Sequence, residues 1–165
     1  MPRTGHSKDP ADPDAIRVRA LRALTRREHG ARELSNKLVR GGAPAEVARQ
    51  IVEEFARRGW QSDARYAQSV ARTRIGQGYG PLRIRAELQA AGIADTLAAQ
   101  VTQEPEDGGW LERARISFAR RFATPPANAA QWQKAWRFLA QRGFAPEHIR
   151  GVLKYVPDTA DDTGA

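Results

Sequence analysis

The chain has 165 residues and a formal net charge of +8, with 41% hydrophobic and 28% charged residues. That is ordinary content for a folded protein, long enough for one domain or for a row of small units. The absence of cysteine excludes disulfides and thiolate metal sites, and the excess of positive charge predicts attraction to polyanions or acidic protein surfaces.

The N-terminal stretch MPRTGHSKDPADPDA has no apolar core of the kind a secretory signal needs. No run approaches the roughly 20 apolar residues that span a bilayer, so a cytoplasmic protein without membrane partners is expected. Residues 1–13, rich in Pro, Asp and Gly, are expected as a disordered tail, as are residues 158–165.

Between the tails the hydrophobic period is helical. A first unit is expected over 14–60, with Val18, Leu21 and Leu24 as one stripe, Leu34 and Leu38 as a second, and Val47, Ile51 and Phe55 as a third. A second unit, 61–105, opens where Ser62 or Asp63 can cap a helix bearing Tyr66, Ala67, Val70 and Ala71. Pro81 stands where a further helix should start, since a first turn has no use for the missing N–H. Ile84, Leu88 and Ala91 line that helix, and Leu97 and Val101 mark the next. A third unit, 106–157, carries Leu111, Ala114, Phe118 and Phe122, then Trp132, Trp136 and Leu139, then Ile149, Val152 and Leu153. Alternating, β-branched runs are missing, so the fold class is all-α.

The three units repeat one another. Leu38, Leu88 and Leu139 are each followed four residues later by a glycine, Gly42, Gly92 and Gly143, before a short link into another helix. The step of about 50 residues suits three-helix repeats that steady one another by packing. Three tandem three-helix repeats in an elongated, curvable array are expected.

Candidates for catalysis are lacking. His6, His29 and His148 lie far apart with no metal-ligand spacing, and Glu53 and Glu54 point about 100° apart on a helix. The segment GQGYG could cradle a phosphate, but a helix precedes it and no Gly-Lys-Ser/Thr follows. It reads as a helix end with Gly76 or Gly78 at positive φ. No enzymatic activity, cofactor or metal is expected.

The basic residues remain. Arg65, Arg72, Arg74, Arg83 and Arg85 fall in a stretch without acids, together with Tyr66 and Tyr79. Arg26, Arg27, Arg32 and Lys37 belong to a second concentration in the first unit, alongside Arg17, Arg19, Arg22 and Arg40. Arginine among aromatics holds phosphates and stacks on bases, grips carboxylates, or merely forms a solvated face. A helix-turn-helix reader would need base-contacting groups on its last helix. Here that helix is ADTLAAQVTQE in the second unit and carries Glu46, Glu53 and Glu54 in the first, which argues against sequence-specific readout.

The segments LRALTRREHGARELSNKL and RGWQSDARYAQSVARTRIGQGYGPLRIRAELQAAGI resemble the RecX family of bacterial recombination regulators. Arg27-Glu28, Glu33-Leu34, Lys37-Leu38, Asp63, Tyr66-Ala67, Arg74, Gly78, Gly80, Ile84, Glu87-Leu88 and Gly92-Ile93 carry the likeness over residues 17–93. The resemblance implies a non-enzymatic regulator, inhibitory in sense, that lies along the groove of the RecA–DNA filament; a monomer is expected separately, since no heptad seam of coiled-coil length is present. On that reading Arg26, Arg27, Arg32, Lys37, Arg65, Tyr66, Arg72, Arg74, Tyr79, Arg83 and Arg85 would contact RecA or single- or double-stranded DNA. The alternative is a DNA-binding protein without sequence preference that acts on recombination indirectly. Gly30 departs from the family, which often has Ser there as a helix cap.

Overall fold

The structure, a computed structural model, describes residues 9–106 and 109–154, so the expected tails fall outside it except for residues 9–13. The described residues hold α1 (Pro13–Arg26), α2 (Ala31–Arg40), α3 (Ala45–Arg57), α4 (Asp63–Gly76), α5 (Pro81–Ala90), α6 (Asp95–Val101), α7 (Gly109–Arg121), α8 (Ala129–Gln141) and α9 (Pro146–Val152), with no strand among them. The all-α expectation and the start of α5 at Pro81 hold. None of these helices is long and apolar enough to cross a membrane.

The second helix of each repeat ends in the same way. Gly42, Gly92 and Gly143 take φ of 99°, 81° and 90°. The amide of the next residue reaches back across the turn in each: Ala43 to the Leu38 carbonyl at 3.0 Å, Ile93 to Leu88 at 3.0 Å, and Phe144 to Leu139 at 3.2 Å. This is the Schellman closure, in which a glycine without a Cβ turns left-handed so that orphan carbonyls find donors. Both ends of each bond are buried.

By contact the chain forms two compact units. The first takes the described residues up to Ser69 together with Leu88–Leu97. Its core is Ile16, Ala20, Ala23, Leu34, Leu38, Ala43, Ala48, Ile51, Val52 and Phe55. A fully buried Leu, Ile or Phe contributes about 1.5–3 kcal/mol, so this cluster outweighs any surface pair in the unit. Of the expected stripe on α1, Leu24 packs against the core, but Val18 and Leu21 are exposed, and Ile16, Ala20 and Ala23 face inward instead. Alanines at this spacing let α2 and α3 approach closely, which the larger Val18 and Leu21 on the opposite arc would prevent.

The second unit takes Val70–Glu87 and the described residues from Ala98 on. Here α7 packs on α8 and α9 around Trp110, Ala114, Ala135, Leu139, Phe144, Ile149 and Leu153. Trp110, 2% exposed, replaces the expected Leu111 as the inward residue of α7's first turn. Its Nε1–H donates to the carbonyls of Thr102 and Gln103 at 3.2 and 3.1 Å, so the indole is buried without losing its hydrogen bond. Phe118, Phe122 and Phe138 form a ring cluster with centroids 5.0 and 5.5 Å apart.

The GQGYG segment lies within this unit. Gly78, with φ of 84°, closes α4, whereas Gly76 remains helical. Gly80 has another reason to be glycine: a Cβ there would lie 2.5 Å from the carbonyl carbon and oxygen of Gly143 and 2.6 Å from the Phe144 nitrogen. The Gly80 amide donates to Arg142 O at 2.7 Å and the Leu82 amide to Gly143 O at 2.9 Å. The loop is a seat for the α8–α9 turn.

Candidate functional site

The basic residues sort by what their guanidinium groups already hold. In the first unit Arg27 donates to the Glu33 carboxylate, one bond at 3.1 Å, and to Glu28 O at 2.9 Å. That hydrogen bond holds the Glu33 carboxyl below and the Arg27 guanidinium above their ordinary pKa values. Arg65 bonds Glu28 at 2.9 Å and Trp60 O at 3.2 Å. Arg32 donates to Ala90 O and lies over Gly92, where a Cβ would fall 2.9 Å from its Nε. Arg17 pairs with Glu54 at 3.1 Å, and Arg49 pairs with Glu46 and Glu53. The acids of α3 are thereby spent on neighbours.

Two motif residues in this unit prove architectural. Ser62 Oγ caps α4 by accepting from the Arg65 amide at 3.2 Å. Asp63 instead accepts from the Ala31 amide at 2.8 Å and from Gln61 Nε2 at 2.9 Å. It supplies from a distance the cap that Gly30 cannot. Gly30 in turn leaves room for Tyr66: a Cβ would lie 3.3 Å from its ring. The departure at Gly30 thus has a steric reason, and Asp63 stands in as the acceptor that the Ala31 amide needs.

His29 is 1% exposed beside this cap. Its Nδ1 lies 3.1 Å from the Arg27 carbonyl, and since a carbonyl only accepts, Nδ1 carries the proton. Nε2 is buried without a partner among the described residues. Desolvation pushes the imidazole below its ordinary pKa, helped by the Arg27 and Lys37 charges and opposed by the Arg27 carbonyl and by Glu33.

In the second unit Arg74 grips Glu87 in a bidentate pair at 2.8 and 2.7 Å, joining α4 to α5 and lowering the Glu87 pKa. Tyr79 does not offer an open ring. The Arg83 and Arg142 guanidinium carbons lie 4.3 and 4.8 Å from its centroid, and their Nη1 atoms donate to Gln141 O at 3.3 Å and Gln77 O at 3.0 Å. Arg85 is partly buried and also engaged. Of the expected contact residues, Arg26, Lys37 and Arg72 are exposed with side chains that have no partner among the described residues.

Arg26 and Lys37 come together with Arg19 and Arg22 along one cleft between α1 and α2, of about 270 Å³. Arg19 and Arg22 were no part of the expected contact set. Their spacing with Arg26, three and then four residues, was the signal for a shared helical face. Arg72 lies in the second unit, and Arg65 and Tyr66 are held within the first unit by contacts of their own. Among the described residues no group of His, Asp or Glu is arranged to hold a metal ion.

Three RecX family models match the chain in order: the first three-helix domain over residues 17–55, the second over 62–101 and the third over 111–153. A regulatory protein RecX from Acidithiobacillus ferrooxidans (strain ATCC 53993 / BNL-5-31) is 46% identical over 144 residues, 87% of this chain and 89% of the relative. One from Stenotrophomonas maltophilia (strain R551-3) is 40% identical over 156 residues, 94% of both. The crystal structure of RecX from Lactobacillus salivarius shares the fold with a TM-score of 0.73 at 20% identity, covering 86% of this chain and 94% of that one. A second crystal structure of regulatory protein RecX has a TM-score of 0.71 at 24% identity over 88% and 73% of the two chains. With all three helical domains matched in order, the chain belongs to the RecX family, whose members are regulatory proteins and not enzymes.

Proposed function

We propose that this protein restrains RecA recombinase by lying along the RecA–DNA filament, with its unpaired cations facing acidic groups of the recombinase and phosphates of the DNA. What supports this reading is the sorting of the basic residues in a chain of this family. Arg27, Arg65 and Arg74 are bound to the protein's own carboxylates, while Arg26, Lys37 and Arg72 keep their charge exposed. Exposed cations raise the rate of encounter with a polyanion and lose effect as salt rises.

The test is the DNA-dependent ATPase of RecA titrated with this protein at two salt concentrations, with pull-down of RecA in the absence of DNA. Inhibition should weaken at the higher salt, and Arg72→Glu should relieve it at least several-fold while far-UV circular dichroism stays unchanged. RecA captured without DNA supports direct contact. A folded protein that neither captures RecA nor slows its ATPase would defeat the proposal. Arg83→Glu is the poorer probe, because Arg83 also covers Tyr79 and bonds Gln141.

A further inference from the structure

The third repeat leaves part of its aromatic wall uncovered. Phe118 and Phe122 continue the stripe that begins with Trp110 and Ala114, yet they stay only partly buried where those two are closed over. Phe122 stands just past α7, and its amide donates to the Phe118 carbonyl at 2.9 Å. Its ring stacks on Phe118 with centroids 5.0 Å apart and meets Phe138 edge-on at 5.5 Å, so the wall has a fixed geometry. In front of it lies a cavity of about 210 Å³, lined by Phe118, Phe122, Thr124, Pro126, Gln131 and Lys134 among others. A cavity of about 150 Å³ holds benzene, so this one has room for a single ring and a short head group.

The edge of the cavity is already fixed and selects among ligands. Pro125 and Pro126 restrict the connection that follows α7. The Ala127 amide donates to Gln131 Oε1 at 2.8 Å, and the Gln131 amide donates to Asn128 Oδ1 at 2.9 Å. These bonds pin the connection to the first turn of α8, so binding has little left to order. They also occupy the acceptor of the Gln131 side chain and leave its Nε2 as a donor. Gln131 Nε2, the Thr124 hydroxyl and Lys134 Nζ have no partner among the described residues, and no carboxylate lines the cavity. Arg121 adds a second positive charge, its guanidinium carbon 5.4 Å from the Phe122 centroid. A plain hydrocarbon would gain nothing from these donors, and a cation would face Lys134 and Arg121. Three single donors suit the two oxygens of a carboxylate.

We infer that this cavity binds a small organic carboxylate with a single ring or a short apolar chain. The apolar body lies against Phe118 and Phe122, and the carboxylate meets Lys134, Gln131 Nε2 and the Thr124 hydroxyl. A ligand seated there ties the end of α7 to the first turns of α8, so occupancy stabilises the third repeat by mass action. The site is built from the third repeat alone and does not depend on the proposed restraint of RecA.

The test uses the full chain without RecA or DNA, and 3-phenylpropionate as the probe. With isotope-labelled phenylalanine rings, the NMR signals of Phe118 and Phe122 should shift on titration, a readout that needs no variant to fold. The signal of Phe55, in the other compact unit, should stay in place. Half-saturation is expected at roughly 1 mM, the range open to a ligand of so few atoms. Lys134→Gln should weaken 3-phenylpropionate about threefold, the scale of one exposed charge pair, and leave the weaker binding of 3-phenylpropionamide unchanged. Lys154→Gln, outside the cavity, should change neither. Phe118 and Phe122 signals that do not move by about 20 mM probe overturn the proposal. So does equal binding of 3-phenylpropylamine, or a Lys134→Gln protein that keeps its full preference for the carboxylate over the amide. Acetate producing the same shifts at the same concentration overturns it too, since the wall would then contribute nothing. Failure here leaves the RecA ATPase experiment unaffected, and failure there leaves the cavity standing.

Discussion

His29 shows how a single buried group writes a pH dependence into the fold. Its folded pKa lies below the value of about 6.5 that it has in the unfolded chain. The unfolded chain therefore binds more protons as pH falls through that region, and stability is lost going downward from about 6.5 until the folded pKa is passed. Urea midpoints should be flat from pH 8 to 7 and drop below about 6.5, and His29→Gln should flatten that part of the profile. A second, separate loss follows in acid. The pKa values of Glu33 and Glu87 are held down by Arg27 and Arg74, so their contribution is present above about 4.3 and disappears as pH falls through the folded values. Glycines divide as sharply. Gly80→Ala forces a methyl into the Gly143 backbone and should cost about 1–3 kcal/mol. Gly76→Ala, helical with nothing within 4 Å, should stabilise by about 0.5–1 kcal/mol. Chemical denaturation of the two variants separates steric need from mere sequence proximity.

Between elements, the bonds that matter are a borrowed cap and one ion pair. Asp63 is at the start of α4 yet satisfies the first amide of α2, so Asp63→Ala should destabilise by about 1 kcal/mol through loss of a helix cap. Replacing Gly30 by Ser, the family's frequent residue, should repair that variant at most in part, because its Cβ would lie 3.3 Å from the Tyr66 ring, which must yield to admit it. The Arg74–Glu87 pair is bidentate but about a third exposed on both sides. A double-mutant cycle on Arg74→Ala and Glu87→Ala should therefore return about 0.5–1 kcal/mol, shrinking in high salt, and not the larger value of a buried pair. Leu38, Leu88 and Leu139 matter through packing instead, and their truncation to Ala should each cost about 2–5 kcal/mol.

For the whole molecule, the middle repeat is the decisive piece. Its residues are shared between the two compact units, with Tyr66 and Ile93 packed at Gly30 in one and Gly80 seated against Gly143 in the other. A segment of residues 61–105 excised alone should lose most of its helicity by circular dichroism, because about 45 residues bury too little to hold a core without neighbours. A cooperatively melting fragment would show that each repeat is an autonomous domain. The helical class, the three repeats and their glycine-closed second helices were legible in the residues, because a 3.6-residue period and a left-handed turn are local properties. The inward face of α1 was not, since two alanines beside a larger Val and Leu carry little hydropathy signal until α2 and α3 press against them. Nor was the division of the arginines legible. Whether a guanidinium is free or held depends on which carboxylate the fold brings within hydrogen-bond reach. Glu87 lies 13 residues beyond Arg74 and Glu28 lies 37 before Arg65, distances that only packing closes. Composition by itself determined that this protein would seek anions. The tertiary structure decided which cations remain able to meet them, by neutralising the others from within.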